Sequence, residues 1–126
     1  MNWKLPISGH PITLNQRMHW ANKAHETKRI RTEVWARARA AGIPNLDGRC
    51  EVQLVYRPPD KRRRDSDNLA PTFKAAVDGL VDAGVLSDDT DDLVTRLHPK
   101  LGPVVAPPAA HVGRTLFRLH LTVREV

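Results

Sequence analysis

The feature that most constrains the fold is a change in apolar spacing between positions 51 and 83. Val52, Leu54 and Tyr56 alternate with other residues, which predicts a strand over 51–56 that a Pro-Pro pair ends. Beyond a polar loop at 60–64, apolar residues recur at helical spacing and predict a helix over about 69–83. Its stripe comprises Leu69, Phe73, Ala76, Val77, Leu80 and Val81. A strand and an amphipathic helix each bury one apolar surface, so helices are expected to pack on a sheet.

Local signals place the ends of this helix. Asp67 or Asn68 can act as the N-cap, and Pro71 falls in the first turn, where its missing N–H does no harm. Gly84 suits the C-terminal cap.

The rest of the chain predicts three more strands and one more helix. A strand over 2–7 contains Pro6 and is therefore a short or edge strand. A basic helix follows over 21–41, then a weak strand over 93–97 and a Pro-rich loop over 99–113. The last strand alternates Leu116, Arg118, His120, Thr122 and Arg124 with Phe117, Leu119, Leu121 and Val123. The expected fold is α/β (α+β), a small mixed sheet of about four strands with two main helices, in which the last two strands pair antiparallel.

Composition favours a polyanionic partner. The 126 residues fit a single domain, 1–126, and the net charge of +6 points to nucleic acid before membrane. Cys50, the single cysteine, excludes an intrachain disulfide and is expected to be a buried strand thiol. No apolar run approaches the ~20 residues of a membrane span, and the first residues lack a signal-peptide core. A cytoplasmic protein is expected.

Two N-terminal segments carry groups suited to nucleic acid. The loop over 8–19 contains Asn15 and Arg17, and Trp20, just after it, either packs in the core or stacks on bases. The basic face of the first helix includes Lys28 and Arg31, which are either merely solvated or contact a phosphate backbone.

The strongest chemical signal is Asp65-Ser66-Asp67 between the central strand and helix. Residues two apart in an extended segment point the same way, so both carboxylates can face one divalent ion. The alternative is that they only complement the helix dipole. Four cations precede them, Lys61, Arg62, Arg63 and Arg64, which is more than two acids need for neutralisation.

A second acidic run, Asp88-Asp89-Thr90-Asp91-Asp92, follows the helix. Acids at a helix C-terminus oppose the dipole, so the run is either a solvated loop or a source of a third metal ligand. A helix of ~15 residues is ~22 Å long, so Asp89 reaches Asp67 only if the chain folds back or another subunit supplies it. Lys74 either faces the site as an electrophile or pairs with Asp78.

These residues together resemble the RusA family of Holliday junction resolvases. The resemblance covers about residues 57–100 and is carried by the segments Arg62–Leu69, Lys74-Ala75-Ala76, Asp78-Gly79-Leu80, Ala83-Gly84-Val85 and Asp88-Asp89. Leu14-Asn15-Gln16-Arg17 is similar more weakly, and Ala70-Pro71-Thr72 is an apparent insertion before Lys74.

The resemblance implies a homodimeric, Mg²⁺-dependent crossover junction endodeoxyribonuclease, for which Mn²⁺ can substitute. It would nick two opposing strands of a four-way DNA junction, and it implies neither a membrane partner nor a nucleotide cofactor. Asp65, Asp67 and Asp89 would bind the metal and Lys74 would be the essential lysine. The DNA-binding residues would be Lys61, Arg62, Arg63, Arg64, Asn68, Asn15, Arg17, Lys28 and Arg31. A non-catalytic branched-DNA binder, or a nuclease for flaps or forks, is the alternative.

Overall fold

The computed structural model describes residues 1–13, 20–46, 48–106 and 117–126. Two helices and five strands follow one another along the chain. They are β1 (Asn2–Ile7), α1 (Trp20–Ala40), β2 (Cys50–Tyr56), a 3₁₀ turn (Ser66–Leu69), α2 (Ala70–Asp82), β3 (Val94–Arg96), β4 (Lys100–Leu101) and β5 (Leu119–Glu125). The predicted α+β fold with a mixed sheet is confirmed. A fifth strand, β4, lies inside the segment expected to be a loop.

The sheet places the last strand in its interior. Its order is β1-β5-β2-β3, with β4 also paired to β2. β5 runs antiparallel to both β1 and β2. The expected antiparallel pair of the last two strands is therefore wrong, because β2 separates β3 from β5. The long apolar run of β5 is buried between two neighbours, whereas the short β3 is accommodated at the edge.

The strand, helix and acidic loop at the centre of the sequence form one β-α-β unit. β3 and β4 both run parallel to β2. A parallel pair needs a crossover connection, and α2 is the crossover from β2 to β3. After α2 the chain runs back in the direction of β2, with β3 beside the start of β2 and β4 beside its end. This topology therefore determines which distant residues can meet.

Both helices pack on one face of the sheet. Val52 and Leu54 of β2 and Leu121 of β5 face this core, as do Ile30 and Val34 of α1. Cys50 is buried in β2, as predicted. Among the described residues, no helix is long and apolar enough to cross a membrane.

The ends of α2 agree in part with expectation. Asp65, rather than Asp67 or Asn68, caps the segment: its Oδ1 accepts a hydrogen bond from the Asp67 N–H at 3.0 Å, at the start of the 3₁₀ turn. Pro71 lies in the first turn of α2, and Gly84 has a φ of +79° just after its end, as predicted. The extra 3₁₀ turn moves the start of the helical segment back, and with it the cap.

One buried hydroxyl ties the N-terminal segment to α2. The Thr72 Oγ1 is fully buried, accepts a hydrogen bond from the Ile12 N–H at 2.7 Å and donates to the Ile12 carbonyl at 2.7 Å. The segment after β1 is thereby held against the start of α2. Thr72 belongs to the apparent insertion in the sequence, and this contact gives that insertion a structural role.

A buried histidine should make stability depend on pH. His120 of β5 is only 7% exposed, and burial, with the nearby Lys4 and Arg57 cations, lowers its pKa from 6.5 to about 4. Because the folded chain favours the neutral ring, the neutral His120 contributes to the free energy of unfolding. This contribution is complete above pH ~6.5 and is lost as the pH falls towards ~4. We expect the free energy of unfolding to drop by about 2 kcal/mol between pH ~7 and ~5.

Urea denaturation at the two pH values measures this drop. Most of this pH-dependent drop should be absent from the His120→Leu variant. Any drop that the other histidines cause should remain, since they are present in both proteins. An equal drop in both proteins would assign the effect to another group.

Candidate functional site

A basic groove follows the C-terminal end of β2. It has a volume of about 800 Å³, and its polar and charged lining includes Arg62, Arg63, Arg64, Asp65 and Asn68. The other lining residues are His10, Pro11 and Thr13 of the N-terminal segment, with Tyr56, Leu69 and Leu101. The groove therefore combines three guanidinium groups with one carboxylate of the Asp-Ser-Asp sequence, and its volume lies in the range of small-ligand pockets.

The four consecutive cations do not share one role. Arg64 is half-buried, and its Nη1 lies 2.9 Å from the Asp60 Oδ1, so its charge is largely neutralised. Arg62 makes a longer contact of 3.8 Å with the same acid, whose pKa is lowered by the Arg62 N–H and by Arg64. Lys61 and Arg63 are exposed and form no ion pair within the described residues. They are the cations most available to phosphate.

The Asp-Ser-Asp sequence stands at the start of the 3₁₀ turn. Asp65 is extended, with φ −107° and ψ 124°, and both aspartates are exposed. One Asp65 oxygen accepts the Asp67 N–H, so the capping interpretation applies to Asp65. A carboxylate has further lone pairs, so this bond leaves Asp65 able to bind a second group.

His98 lies against this turn. Its Nε2 is 2.7 Å from the Ser66 Oγ and 3.6 Å from the Asp67 Oδ1, and its backbone carbonyl accepts a hydrogen bond from Gln53 at 2.8 Å. The contact joins residues 32 positions apart through the β2–β3 pairing. A local sequence pattern contains no signal for such a contact.

The acidic run folds back along α2. The Lys74 Nζ lies 3.2 Å from the Asp89 Oδ2 and 3.3 Å from the Asp78 Oδ1. The pairing of Lys74 with Asp78 is therefore present, but Lys74 also contacts the acidic loop. The Asp88 side chain accepts the Asp89 N–H at 2.7 Å, so Asp88 orients Asp89, and Asp89 is the acid that faces Lys74.

These contacts set the charges of both partners. Hydrogen bonding to Asp89 and Asp78 raises the pKa of Lys74, so the ammonium remains a cation near neutral pH. Lys74, followed by Asp88, lowers the pKa of Asp89. Asp89 is therefore an anion, suited to bind a cation, and Lys74 is suited to stabilise negative charge rather than to accept a proton.

Arg96 is a site residue that the sequence analysis missed. Its Nη2 donates to the Asp89 carbonyl at 2.6 Å and lies 3.4 Å from the Asp89 Oδ2. Arg96 and His98 are two residues apart on one chain segment, roughly 7 Å if it is extended. Because Arg96 contacts Asp89 and His98 contacts Asp67, both acids meet the same edge of the sheet within one chain.

The three acids do not form one closed ligand group in the described residues. Within residues 1–13, 20–46, 48–106 and 117–126, no set of three or more acidic, His or Cys side chains is arranged to hold a metal ion. Carboxylate oxygens are nevertheless the hard donors that Mg²⁺ takes, usually one or two of them with water and phosphate. The donor chemistry of Asp65, Asp67 and Asp89 fits a divalent ion.

The remaining predicted DNA-binding residues are spread over other parts of the chain. Asn15 and Arg17 lie outside the described residues. Lys28 is exposed on α1, whereas Arg31 is held by both Asp82 oxygens, one of them at 2.8 Å. Arg31 is therefore less available to phosphate than its charge suggested.

Comparison with known proteins finds no family model that matches the chain. An uncharacterized protein from Xylella fastidiosa (strain Temecula1) is 31% identical over 119 residues, which cover 91% of this chain and 72% of that protein.

Proposed function

We propose that this chain, which belongs to the same family as the uncharacterized Xylella fastidiosa protein, is a Mg²⁺-dependent endodeoxyribonuclease that resolves four-way DNA junctions. The observation that carries the proposal is the return of the acidic run along α2. Lys74 contacts Asp89 there, Arg96 contacts Asp89, and His98, two residues after Arg96, contacts Asp67 of the Asp-Ser-Asp turn, whose Asp65 lines the basic groove. The RusA-like sequence pattern implies Asp65, Asp67 and Asp89 as metal ligands and Lys74 as the essential lysine.

Asp65, Asp67 and Asp89 would hold the metal. A bound Mg²⁺, or Mn²⁺ in its place, would polarise the scissile phosphate and lower the pKa of an attacking water. Lys74, kept cationic by its two acidic neighbours, would stabilise the charge that develops on the phosphoryl oxygens.

The surrounding cations would hold the DNA backbone. Lys61 and Arg63 are exposed; Arg63 and Asn68 line the groove with Asp65, and the Asn68 amide can donate to a phosphate oxygen. Contacts of this kind recognise the shape of branched DNA rather than its bases, and their affinity falls steeply with salt. A symmetric homodimer would place two such sites on opposing strands of a junction.

An end-labelled four-way junction with fixed arms tests the proposal. In Mg²⁺ the protein should make paired nicks at symmetric positions in two opposing strands, with ends that DNA ligase can seal. In EDTA the nicks should disappear while a band-shift assay still detects the complex. Linear duplex of the same sequence is the matched control and should stay intact.

Other outcomes favour the alternatives. Tight junction binding without cleavage in Mg²⁺ or Mn²⁺ would contradict the enzyme and support a branched-DNA binder. Faster cleavage of a flap or a replication fork than of the junction would support a nuclease with another branched substrate.

A further inference from the structure

A second groove lies on the solvent face of α1, away from the core. This α1 groove has a volume of about 660 Å³ and is lined by Trp20, Lys23, Ala24, Thr27, Lys28, Arg31, Thr32 and Asp82. None of these residues lines the groove beside Asp65. Trp20, Lys23, Thr27 and Arg31 are spaced by three or four positions and form one stripe along the helix.

Trp20 is the unusual member of this groove. The sequence allowed a core tryptophan or one that stacks on bases, and the side chain is 77% exposed. The described structure therefore does not use Trp20 as a core residue. An exposed indole presents a large flat face, and such faces are enriched where proteins bind partners.

The positive charge beside Trp20 favours an anionic partner. Lys23 and Lys28 are exposed, and neither forms an ion pair within the described residues. Arg31 is held by Asp82 and forms a wall of the groove rather than a free cation. From Trp20 to Arg31 the helix rises by ~16 Å, enough for several nucleotides of a single strand.

We infer that the α1 groove binds an unpaired DNA strand, with Trp20 stacked on a base and with Lys23 and Lys28 beside its phosphates. An aromatic platform needs a base whose face is accessible, which a continuous duplex does not provide. The inference deepens the proposed function, because it rests on DNA being the ligand. Among branched DNA structures, flaps and replication forks contain such unpaired strands.

Single-tryptophan proteins provide the direct test. Trp3→Phe/Trp35→Phe leaves Trp20, and Trp3→Phe/Trp20→Phe leaves Trp35, which lies on the same helix and is 41% exposed. Titration with a dodecamer of thymidylate should quench the fluorescence of the Trp20 protein and leave that of the Trp35 protein nearly unchanged. Equal quenching in both proteins, or none in the Trp20 protein, would overturn the inference.

Affinities in the otherwise native chain give a second, independent test. Trp20→Ala should weaken binding of fluorescein-labelled thymidylate dodecamer about tenfold and leave the salt dependence unchanged, whereas Trp35→Ala should have little effect. Lys23→Gln should reduce the slope of log affinity against log salt by about 0.7. Equal affinities of the two tryptophan variants would contradict the stacking role. Circular dichroism checks that each variant is folded.

The outcomes separate this inference from the proposed function. Junction cleavage without any Trp20 response would remove the inference and leave the nuclease. A Trp20 response without cleavage would leave a single-strand binding groove on a protein that is not a nuclease. Quenching by phosphatidylglycerol vesicles but not by DNA would overturn the inference in favour of a membrane surface.

Discussion

Replacing Asp67 or Asp89 with asparagine should slow junction cleavage by at least about 100-fold while leaving junction binding close to the wild-type level. Asparagine keeps the size of the side chain and one oxygen but removes the negative charge that a divalent ion requires. Binding should persist because the acids contribute no attraction for phosphate, which Lys61 and Arg63 are placed to contact.

The acidic run itself contains the matched control. Asp92 lies three positions after Asp89, is exposed, and forms no ion pair within the described residues. Asp92→Asn makes the same chemical change in the same loop. This variant should cleave the junction at nearly the wild-type rate.

Single-turnover cleavage rates in Mg²⁺ and band shifts in EDTA measure the two effects separately. Equal cleavage rates for Asp89→Asn and Asp92→Asn would show that Asp89 does not take part in cleavage. Loss of binding and cleavage together in Asp67→Asn would instead indicate that the carboxylate is needed to keep the 3₁₀ turn in place.

Replacing Gly79 with alanine should destabilise the protein by about 2–3 kcal/mol. Gly79 is buried where α2 crosses α1, and a Cβ atom there would lie 2.6 Å from the Arg31 carbonyl oxygen and 2.9 Å from the Val34 Cβ. A backbone oxygen cannot rotate away, so the two helices must separate. In an exposed helix the same substitution would stabilise by about 1 kcal/mol.

Gly48→Ala is the matched control for this prediction. Position 48 has no heavy atom within 4 Å of the added Cβ, and its φ is outside the left-handed range. The free energy of unfolding of the Gly48→Ala variant should therefore stay within about 0.5–1 kcal/mol of the wild-type value. Urea denaturation of all three proteins measures both changes. Equal stability of the two variants would show that the helices accommodate the extra methyl group.

Both large predictions depend on the β-α-β unit around α2. The close approach at Gly79 joins α2 to α1, and the contact between Lys74 and Asp89 joins α2 to the loop that leads into β3. Asp78-Gly79 belongs to the segments that carry the RusA-like pattern. The structure supplies a packing reason for the glycine and an ion-pair reason for its neighbour, Asp78.

The sequence by itself determined both helices, most of the strands and the residue types of the candidate site. Alternation over 51–56 and helical spacing over 69–83 locate β2 and α2 within about one residue, because each element must bury one apolar surface. The Asp-Ser-Asp turn, its adjoining cations and the second acidic run are contiguous in the chain. Their composition is therefore visible without any fold.

Only the tertiary structure decided which of these residues meet. The sequence left open whether Asp89 returns to the side of Asp67, whether Trp20 is buried, and which cations are free. Lys74 meets Asp89, His98 meets Asp67, and Arg96 meets Asp89 because β3 pairs parallel to β2 and turns the chain back along α2. Strand order and register depend on long-range pairing, which spacing along the chain does not encode.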